Sequence, residues 1–544
     1  MNKKSAKKAI AGFLAAVMAL GTIGCSGGNS TGASSVKAET ASSAGGNLSG
    51  KVSDKPVTFT MLYADNSTYP FKKDWPTLKK MTELTNVSLN VTVVPDADYP
   101  TKVQLLLNSG DIPDIVCKTG ISGSVEDMAL NGKLLSFSDY INNMSNFQQA
   151  VKKSGMNDEL NNTKLADGKI YSLPVNVNEK RVQTEQWFVR KDIFDKNNMP
   201  LPTSWEECYR DLKALKAKNP SLIPIQNIYQ TGDLLCMVAG SYNTIAGWDG
   251  SSFSGFQYDS ASDKWIHAPT SDNYKSMLKF LHKLYSEGLL DKEFATLDTT
   301  AFDQRVISGK TVMWDGWLGG EVTYNRDGKK TDPNFNVVPI PALAGPKGTA
   351  GTRVTGAWSQ SMICPASVKD KPYFDTLIKW LDWMYSDTAA NLFSWGIKGE
   401  TYTVKQDGTK AYTSDINSPD NPSGTKYLGK DYGCNNNNLS FFYPYDYLKS
   451  TFTKTDLSVL ETETAKKMLV IPQPSLRLTS DDKDEENLVS TALTDYVSSE
   501  DEKFIMGKEP FSNWDNYVKE CDNKGRAKLT KLYNKVWQRQ KMSK

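Results

Sequence analysis

Two tryptophans and one carboxylate stand close together in the segment MWDGW, as Trp314, Asp315 and Trp317. The preceding residues predict a helix that runs into a strand, so these side chains stand at the end of that strand. Indole rings offer rigid flat area to the apolar face of a ligand, and a carboxylate accepts hydrogen bonds from hydroxyl groups. The segment therefore favours a binding site for a ligand with both kinds of surface, with core packing of the indoles as the alternative.

Further polar candidates follow predicted strands near the start of the folded chain. Residues 57–116 read as strand, helix, strand, helix, strand, which is typical of a parallel sheet with right-handed crossovers. Ligands bind at the carboxyl ends of such strands. The loop after the first strand carries Asp65, Asn66 and Tyr69, and Lys118 follows the third strand. A plain turn at Asp65 and a solvated lysine are the alternatives.

The start of the chain predicts export and lipidation. Four lysines precede an apolar run from Ala9 to Ile23, as in a secretory signal, and the segment TIGC resembles a bacterial lipobox ending at Cys25. Residues 26–50 are rich in glycine and serine and lack aromatic residues. We therefore expect a signal peptide at 1–24, a lipidated Cys25, and a flexible tether over 25–50 that holds a folded part at a membrane surface.

Composition excludes several classes of protein. Without the four lysines of the signal, the chain has 60 basic and 62 acidic residues, about −2, and lacks the basic surface of a nucleic-acid binder. The seven cysteines include no C-x-x-C pair, and His267 and His282 are the only histidines. A zinc site and a Ser-His-Asp triad are therefore disfavoured, and we expect the cysteines other than Cys25 to be buried thiols.

Several longer segments resemble one family over nearly the whole chain. They are NSGDIPDIV, FVRKDIFDKNNMPLPTSWEECYRDLKALKAKNP, DQRVISGKTVMWDGW, SDTAANLFSWGIKGETYTV and FIMGKEPFSNWDNYVKECDNKGRAKLTKLYNKVWQRQ. In this order they are similar to the extracellular solute-binding proteins of the sugar-binding family of ABC importers. The likeness is greatest to the long lipoprotein branch of Gram-positive bacteria.

The resemblance implies an α/β, two-lobed, periplasmic-binding-protein-like (type II) fold with a cleft between the lobes and three hinge crossings. Crossings are expected near Leu173–Asn178, near TGAWSQ and between the 420s and 470s. The resulting parts are 51–177 and 358–430 for the first lobe, and 178–357 and 431–544 for the second.

The resemblance also implies a site and partners. Ligand contacts are expected at Asn178 and Trp358 beside the crossings, at Trp395, and at the MWDGW aromatics, where the family often stacks a sugar. The expected ligand is an oligosaccharide, which a lipid-anchored monomer on the outer face of the cell membrane passes to permease subunits. No cofactor or metal is expected, because the calcium loop of some relatives is replaced here by KAKNPSLIPIQN, without spaced carboxylates.

Other functions stay open at this point. A cell-surface glycoside hydrolase needs two carboxylates at a defined separation, which 62 acidic residues can supply. A binding protein for another solute, such as a peptide, and a structural adhesin are further alternatives. A binder returns a labelled oligosaccharide intact, whereas a hydrolase cuts it.

Overall fold

Short strands alternate with helices along the computed structural model, which describes residues 51–67, 69–120, 123–250, 255–419 and 421–542. The predicted signal peptide, Cys25 and the tether lie outside the described residues. The strands are β1 (Val57–Asp65), β2 (Val87–Pro95), β3 (Ile115–Val116), β4 (Leu173–Asn178), β5 (Glu185–Arg190), β6 (Ile223–Gln226), β7 (Phe256–Asp259), β8 (Lys264–His267), β9 (Thr311–Trp317), β10 (Val337–Ile340), β11 (Trp358–Met362), β12 (Tyr402–Val404), β13 (Lys410–Tyr412) and β14 (Phe442–Tyr443).

Helices cover these strands and dominate the last hundred residues. They are α1 (Pro76–Thr85), α2 (Tyr99–Ser109), α3 (Ser124–Leu130), α4 (Ser145–Ser154), α5 (Asn157–Asn162), α6 (Lys191–Lys196), α7 (Trp205–Lys218), α8 (Gln230–Ala239), α9 (Gly247–Gly250), α10 (Asp272–Ser286), α11 (Thr299–Ile307), α12 (Gly320–Gly328), α13 (Phe374–Trp383), α14 (Asp387–Ser394), α15 (Tyr445–Ser450), α16 (Lys454–Ala465), α17 (Ser480–Asn487), α18 (Ser490–Met506), α19 (Trp514–Asn523) and α20 (Arg526–Met542).

Three sheets organise the chain. The first has the order β2-β1-β3 with all strands parallel, as the sequence predicts. The second has the order β10-β5-β9-β6, in which β6 and β9 are parallel. The third has the order β11-β4-β14; β4 precedes the second sheet along the chain, whereas β11 and β14 follow its last strand, β10. Two hairpins, β7-β8 and β12-β13, complete the described strands.

Side-chain alternation along the central strands gives each main sheet a hydrophobic core on both faces. In β1, Phe59 packs in one core and Leu62 in the other. In β9, Met313 and Trp314 point into different cores, because neighbouring residues of a strand face opposite ways. We call the residues packed with the first sheet the first lobe and those packed with the second sheet the second lobe.

The hydrophobic cluster in which residues pack changes along the chain. Val177 packs in the first lobe, and Phe188 packs in the second. Trp395 and Tyr402 pack in the same cluster as Phe188, whereas Leu439, Phe441 and Phe442 belong to the first-lobe core. We therefore propose that the last crossing falls near Pro444, rather than at the predicted boundary at 431.

Local signals predicted the helices well but not all of their ends. Helix α10 begins after Ser271, whose side chain caps the Tyr274 N–H, close to the predicted 272–287. Ser204 caps α7 in the same way, at the TSWEE segment. The sequence pattern predicts one long helix over Tyr373–Ser386, but α13 ends at Trp383, and Ser386 is the N-cap of the next helix, α14.

The cysteines and the helix lengths of the described residues can be compared with what the sequence predicts. The six cysteines from Cys117 to Cys521 are buried free thiols, as predicted. None of the helices in the described ranges combines the length and the apolar character that a membrane span requires.

Candidate functional site

Three partly exposed aromatic rings lie together at the carboxyl ends of the parallel strands β6 and β9. Trp317 is the last residue of β9 and is 49% exposed. Tyr229 follows β6 by three residues, and its hydroxyl lies within hydrogen-bonding reach of the Trp317 indole. Trp248, in α9, is 46% exposed, and its ring centroid lies 6.1 Å from that of Tyr229. We call these three residues the ring row.

Two glycines make room for the last ring of the row. A Cβ atom at Gly232 would lie 2.4 Å from Nε1 of Trp248, so only a glycine allows the indole to lie against α8. Gly247, just before the tryptophan, has a φ of +56° and lies against the carbonyl of Gly232. A cavity of about 280 Å³ opens beside Tyr229 and Trp248 and is bordered by α18.

A buried carboxylate cluster, made of Glu185, Asp233 and Asp315, lies beside the ring row. Glu185 is the first residue of β5 and pairs in register with Trp317. Burial raises the pKa of Asp315 well above its ordinary value, and the neighbouring Asp233 raises it further. Burial also raises the pKa of Glu185.

Arg353 supplies positive charge to this region. It forms ion pairs with Glu185 and with Asp249, the latter at 3.1 Å. Its guanidinium carbon also lies 5.7 Å from the Trp248 ring, as in a cation–π contact. Arg353 therefore links the carboxylates to one end of the ring row.

The first lobe presents a small polar pocket at the carboxyl ends of β1 and β3. Its volume is about 30 Å³, and it is lined by Tyr63, Ala64, Asn66, Tyr69, Asp96, Lys118 and Asn435 to Asn438. Lys118 forms an ion pair with Asp96 at 2.6 Å, so its charge is already balanced. Three predicted residues, Asn66, Tyr69 and Lys118, therefore come together here.

Asn438 fixes the backbone of this polar pocket. Its side-chain Nδ2 donates to the carbonyl of Ala64 at 3.0 Å, and its Oδ1 accepts from the Ala64 N–H at 3.0 Å. Asp65, the next residue, accepts a hydrogen bond from the Phe71 N–H at 2.7 Å. This hydrogen bond closes the loop that begins at Asp65. It agrees with the turn that the sequence analysis gave as the alternative for this residue.

Asn178 and Trp358, which the resemblance places beside crossings, lie on neighbouring strands. Asn178 ends β4, where it pairs in register with Tyr443 of β14 and is partly exposed. Trp358 begins β11 opposite Val177 and is a partly buried residue packed against the first-lobe core. Both therefore lie in the sheet β11-β4-β14.

Three predicted site residues have side chains that are buried from solvent. Trp314 is 0% exposed and stacks on Phe188, since it lies inside the strand rather than at its end. Trp395 is 2% exposed and packs against Tyr412, 4.8 Å between centroids. Asp315 is buried in the carboxylate cluster and accepts from the Ile228 N–H at 3.1 Å. A ligand cannot touch these three side chains in this structure.

Sequence reasoning missed much of the site. The sequence patterns assign no role to Trp248 and do not single out Tyr229 or the run Asn435–Asn438. Four consecutive asparagines are an unusual polar signal, but only the fold brings them to Ala64, 374 residues away in the chain from Asn438. Tyr229 could have been found as an aromatic residue soon after a predicted strand.

The position of the calcium loop of some relatives holds no oxygen cage. Between α7 and β6, Asn219 Oδ1 accepts from the Ser221 hydroxyl, and Lys216 donates to the Leu222 carbonyl. A calcium ion needs six to eight oxygen ligands, with carboxylates among them. The residues present here do not fit that ion.

The two main sheets and the helices that cover them form a two-lobed, type II periplasmic-binding-protein-like fold. Residues 64–391 match the model of the bacterial extracellular solute-binding protein family. The chain belongs to this family.

Individual relatives are distant but cover most of the chain. The polygalacturonan/rhamnogalacturonan-binding protein YtcQ of Bacillus subtilis is 22% identical over 85% of this chain and 88% of its own length. The lipoprotein LipO of the same species is 25% identical over 86% of this chain and 89% of its own. A solved HMO-binding, ABC-transporter-associated solute-binding protein from Bifidobacterium longum infantis has a TM-score of 0.68 at 18% identity, covering 89% of this chain and 99% of that one.

Proposed function

We propose that this protein captures an oligosaccharide between the ring row and the first-lobe polar pocket. The observation that carries the proposal is the ring row itself, in which the half-exposed indoles of Trp317, at the end of β9, and Trp248, in α9, flank Tyr229. Exposed aromatic surface of this kind suits the apolar faces of sugar rings. The amide-rich pocket offers hydrogen-bond donors and acceptors for hydroxyl groups.

We further propose that the two lobes close on the ligand. The polar pocket lies on the parallel sheet β2-β1-β3 and the ring row on the mixed sheet β10-β5-β9-β6, and segments near Val177 and Pro444 connect the lobes. A ligand that touches both walls binds the closed state more tightly, and this difference in affinity is what shifts the equilibrium towards closure. The relatives that bind polygalacturonan or HMO support an oligosaccharide as the ligand.

We also propose that a lipid anchor holds the protein at the membrane, where it passes its ligand to a permease. The lipobox-like TIGC segment and the lipoprotein LipO among the relatives support a lipid anchor at Cys25, on the outer face of the cell membrane. The family relationship supports transfer to the permease subunits of an ABC transporter. Cys25→Ala should release the protein into the medium and abolish its labelling by palmitate, and a membrane-bound Cys25→Ala protein would contradict the anchor.

Binding is tested by calorimetry against a panel of oligosaccharides and peptides, with the glycans recovered afterwards by chromatography. We expect at least one oligosaccharide to bind and to be recovered intact. Binding of peptides alone would overturn the proposed ligand class. Shortened glycans at a catalytic rate would show a hydrolase instead.

A further inference from the structure

The carboxylate cluster beside the ring row holds more negative charge than the protein balances. One oxygen each of Glu185, Asp233 and Asp315 lies within 4.8 Å of the other two. These residues are 1%, 0% and 0% exposed. Asp249 adds a fourth carboxylate through its ion pair with Arg353. Together, these four carboxylates and the Arg353 guanidinium carry a formal charge of −3.

The hydrogen bonds in the cluster leave particular oxygens free. Arg353 binds Oε2 of Glu185, and the Ile228 N–H donates to Asp315. Oε1 of Glu185 and both oxygens of Asp233 receive no hydrogen bond within the described part of the chain. Asp233 has a longer ion-pair contact with Arg353, at 3.6 Å, and its carboxyl group lies next to that of Asp315, with which it can share a proton. A fully buried carboxylate without a donor is costly unless a cation or a proton accompanies it.

We propose that Glu185, Asp233 and Asp315 bind a calcium ion. Every protein ligand is an oxygen, which is the donor that hard divalent cations prefer. Two oxygens bound to one Ca²⁺ at about 2.3–2.6 Å can lie up to about 5 Å apart, so the spacing of the cluster accommodates the ion. Asp233 offers two oxygens, and Glu185 offers Oε1 because Arg353 binds its other oxygen. With Asp315 they supply about four of the six to eight oxygens that Ca²⁺ takes, and water would supply the others.

This ion would serve the second lobe as a structural element. It would join the start of β5, the helix α8 and the end of β9, from which Glu185, Asp233 and Asp315 come. The same elements carry Trp317 and lie against Trp248. The site is separate from the segment between α7 and β6, whose residues do not fit calcium.

The test uses chelator-treated folded protein and Ca²⁺ alone, followed by calorimetry and thermal unfolding. We expect the wild type to bind one Ca²⁺ and its unfolding midpoint to rise by several degrees at millimolar Ca²⁺. Asp233→Asn should weaken Ca²⁺ binding at least tenfold and remove the rise, while it stabilises the calcium-free protein by removing one uncompensated charge. Asp375→Asn, an exposed first-turn residue of α13, is the matched control and should behave like the wild type.

Three results would overturn the calcium site. They are the absence of Ca²⁺ binding to the folded wild type, binding that Asp233→Asn leaves unchanged, and binding of Mg²⁺ in place of Ca²⁺. The first of these would mean that a shared proton balances the cluster. If Asp233→Asn does not fold, Glu185→Gln replaces it, and the same outcomes apply. No glycan enters this test, so its result is independent of the proposed oligosaccharide ligand.

Discussion

Oε2 of Glu159 accepts a hydrogen bond from the Ala357 backbone N–H at 2.9 Å. The other oxygen of Glu159 forms an ion pair with Arg181, whose guanidinium also contacts the Thr355 carbonyl at 3.3 Å. Glu159 belongs to α5 in the first lobe, whereas Arg181 and Ala357 lie in the two chain segments that lead to the second lobe. One carboxylate thus holds two of the connections between the lobes.

Glu159→Ala should destabilise the protein by about 2–4 kcal/mol, because it leaves the Arg181 charge and the Ala357 N–H without their partner. Urea unfolding measures the change. Asp387→Asn is the control, since it removes a solvent-exposed ion pair with Lys153 and should cost less than about 1 kcal/mol. Equal effects of the two variants would show that Glu159 does not hold the connections.

Trp317→Ala should weaken oligosaccharide binding by about 1 kcal/mol or more, roughly fivefold to tenfold in Kd, because it removes the largest exposed ring of the row. Trp317→Phe should keep part of the affinity, since it retains a flat ring. Calorimetry with the ligand found in the panel gives both values. Trp537→Ala, a partly buried residue of α20, should leave Kd unchanged. An unaltered Kd in Trp317→Ala would remove this residue from the site.

Asn438→Ala should lower the free energy of unfolding by about 1–3 kcal/mol, because the buried N–H and carbonyl of Ala64 lose both partners. We also expect weaker ligand binding, since the loop that follows Ala64 carries Asn66 and Tyr69. Chemical unfolding and calorimetry separate the two effects. The exposed Asn513 offers a comparison, because Asn513→Ala should change neither quantity. Full stability in Asn438→Ala would contradict the role of this side chain.

The protein should lose stability as pH rises from about 5 to about 8. Burial raises the pKa of Glu463 from 4.5 to about 7, and that of Asp501 from 3.8 to about 8. Between the two values the folded protein binds more protons than the unfolded chain, so the free energy of unfolding falls as pH increases through this window. From these pKa shifts, the expected loss over the full window is on the order of 3 kcal/mol for Glu463 and roughly 5 kcal/mol for Asp501.

Urea unfolding at several pH values tests this dependence. Glu463→Gln should flatten the slope between pH 5 and 7, because the buried group no longer titrates. Glu461→Gln, on the exposed side of the same helix, should retain the wild-type slope. A slope that is identical in all three proteins would assign the dependence to other groups.

The sequence predicted the elements better than the site. Alternation and capping signals predicted β1, α7 and α10 because these depend on neighbouring residues. The segment MWDGW was correctly placed at a strand end, yet only Trp317 is exposed. Trp314 lies three residues earlier, where the strand is covered on both faces. How deeply a strand is covered depends on helices far away in the chain.

Contacts between distant segments were not predictable from one sequence. Asn438 meets Ala64, and Arg353 meets Glu185, only because the chain crosses between lobes and returns. Trp395 resembled a site residue by its family segment, but Tyr402 and Tyr412 of a later hairpin bury it. Such burial is set by tertiary packing rather than by local pattern.

The burial of all six described cysteines has a practical consequence. In a recombinant chain that begins at Ser26, a cysteine introduced on the surface would be the most reactive thiol toward a maleimide dye, since the native thiols are shielded from solvent. Two such dyes, one on each lobe, would report the distance between the lobes by energy transfer without replacing any native cysteine. Lobe closure could then be followed in real time while the ligand is added.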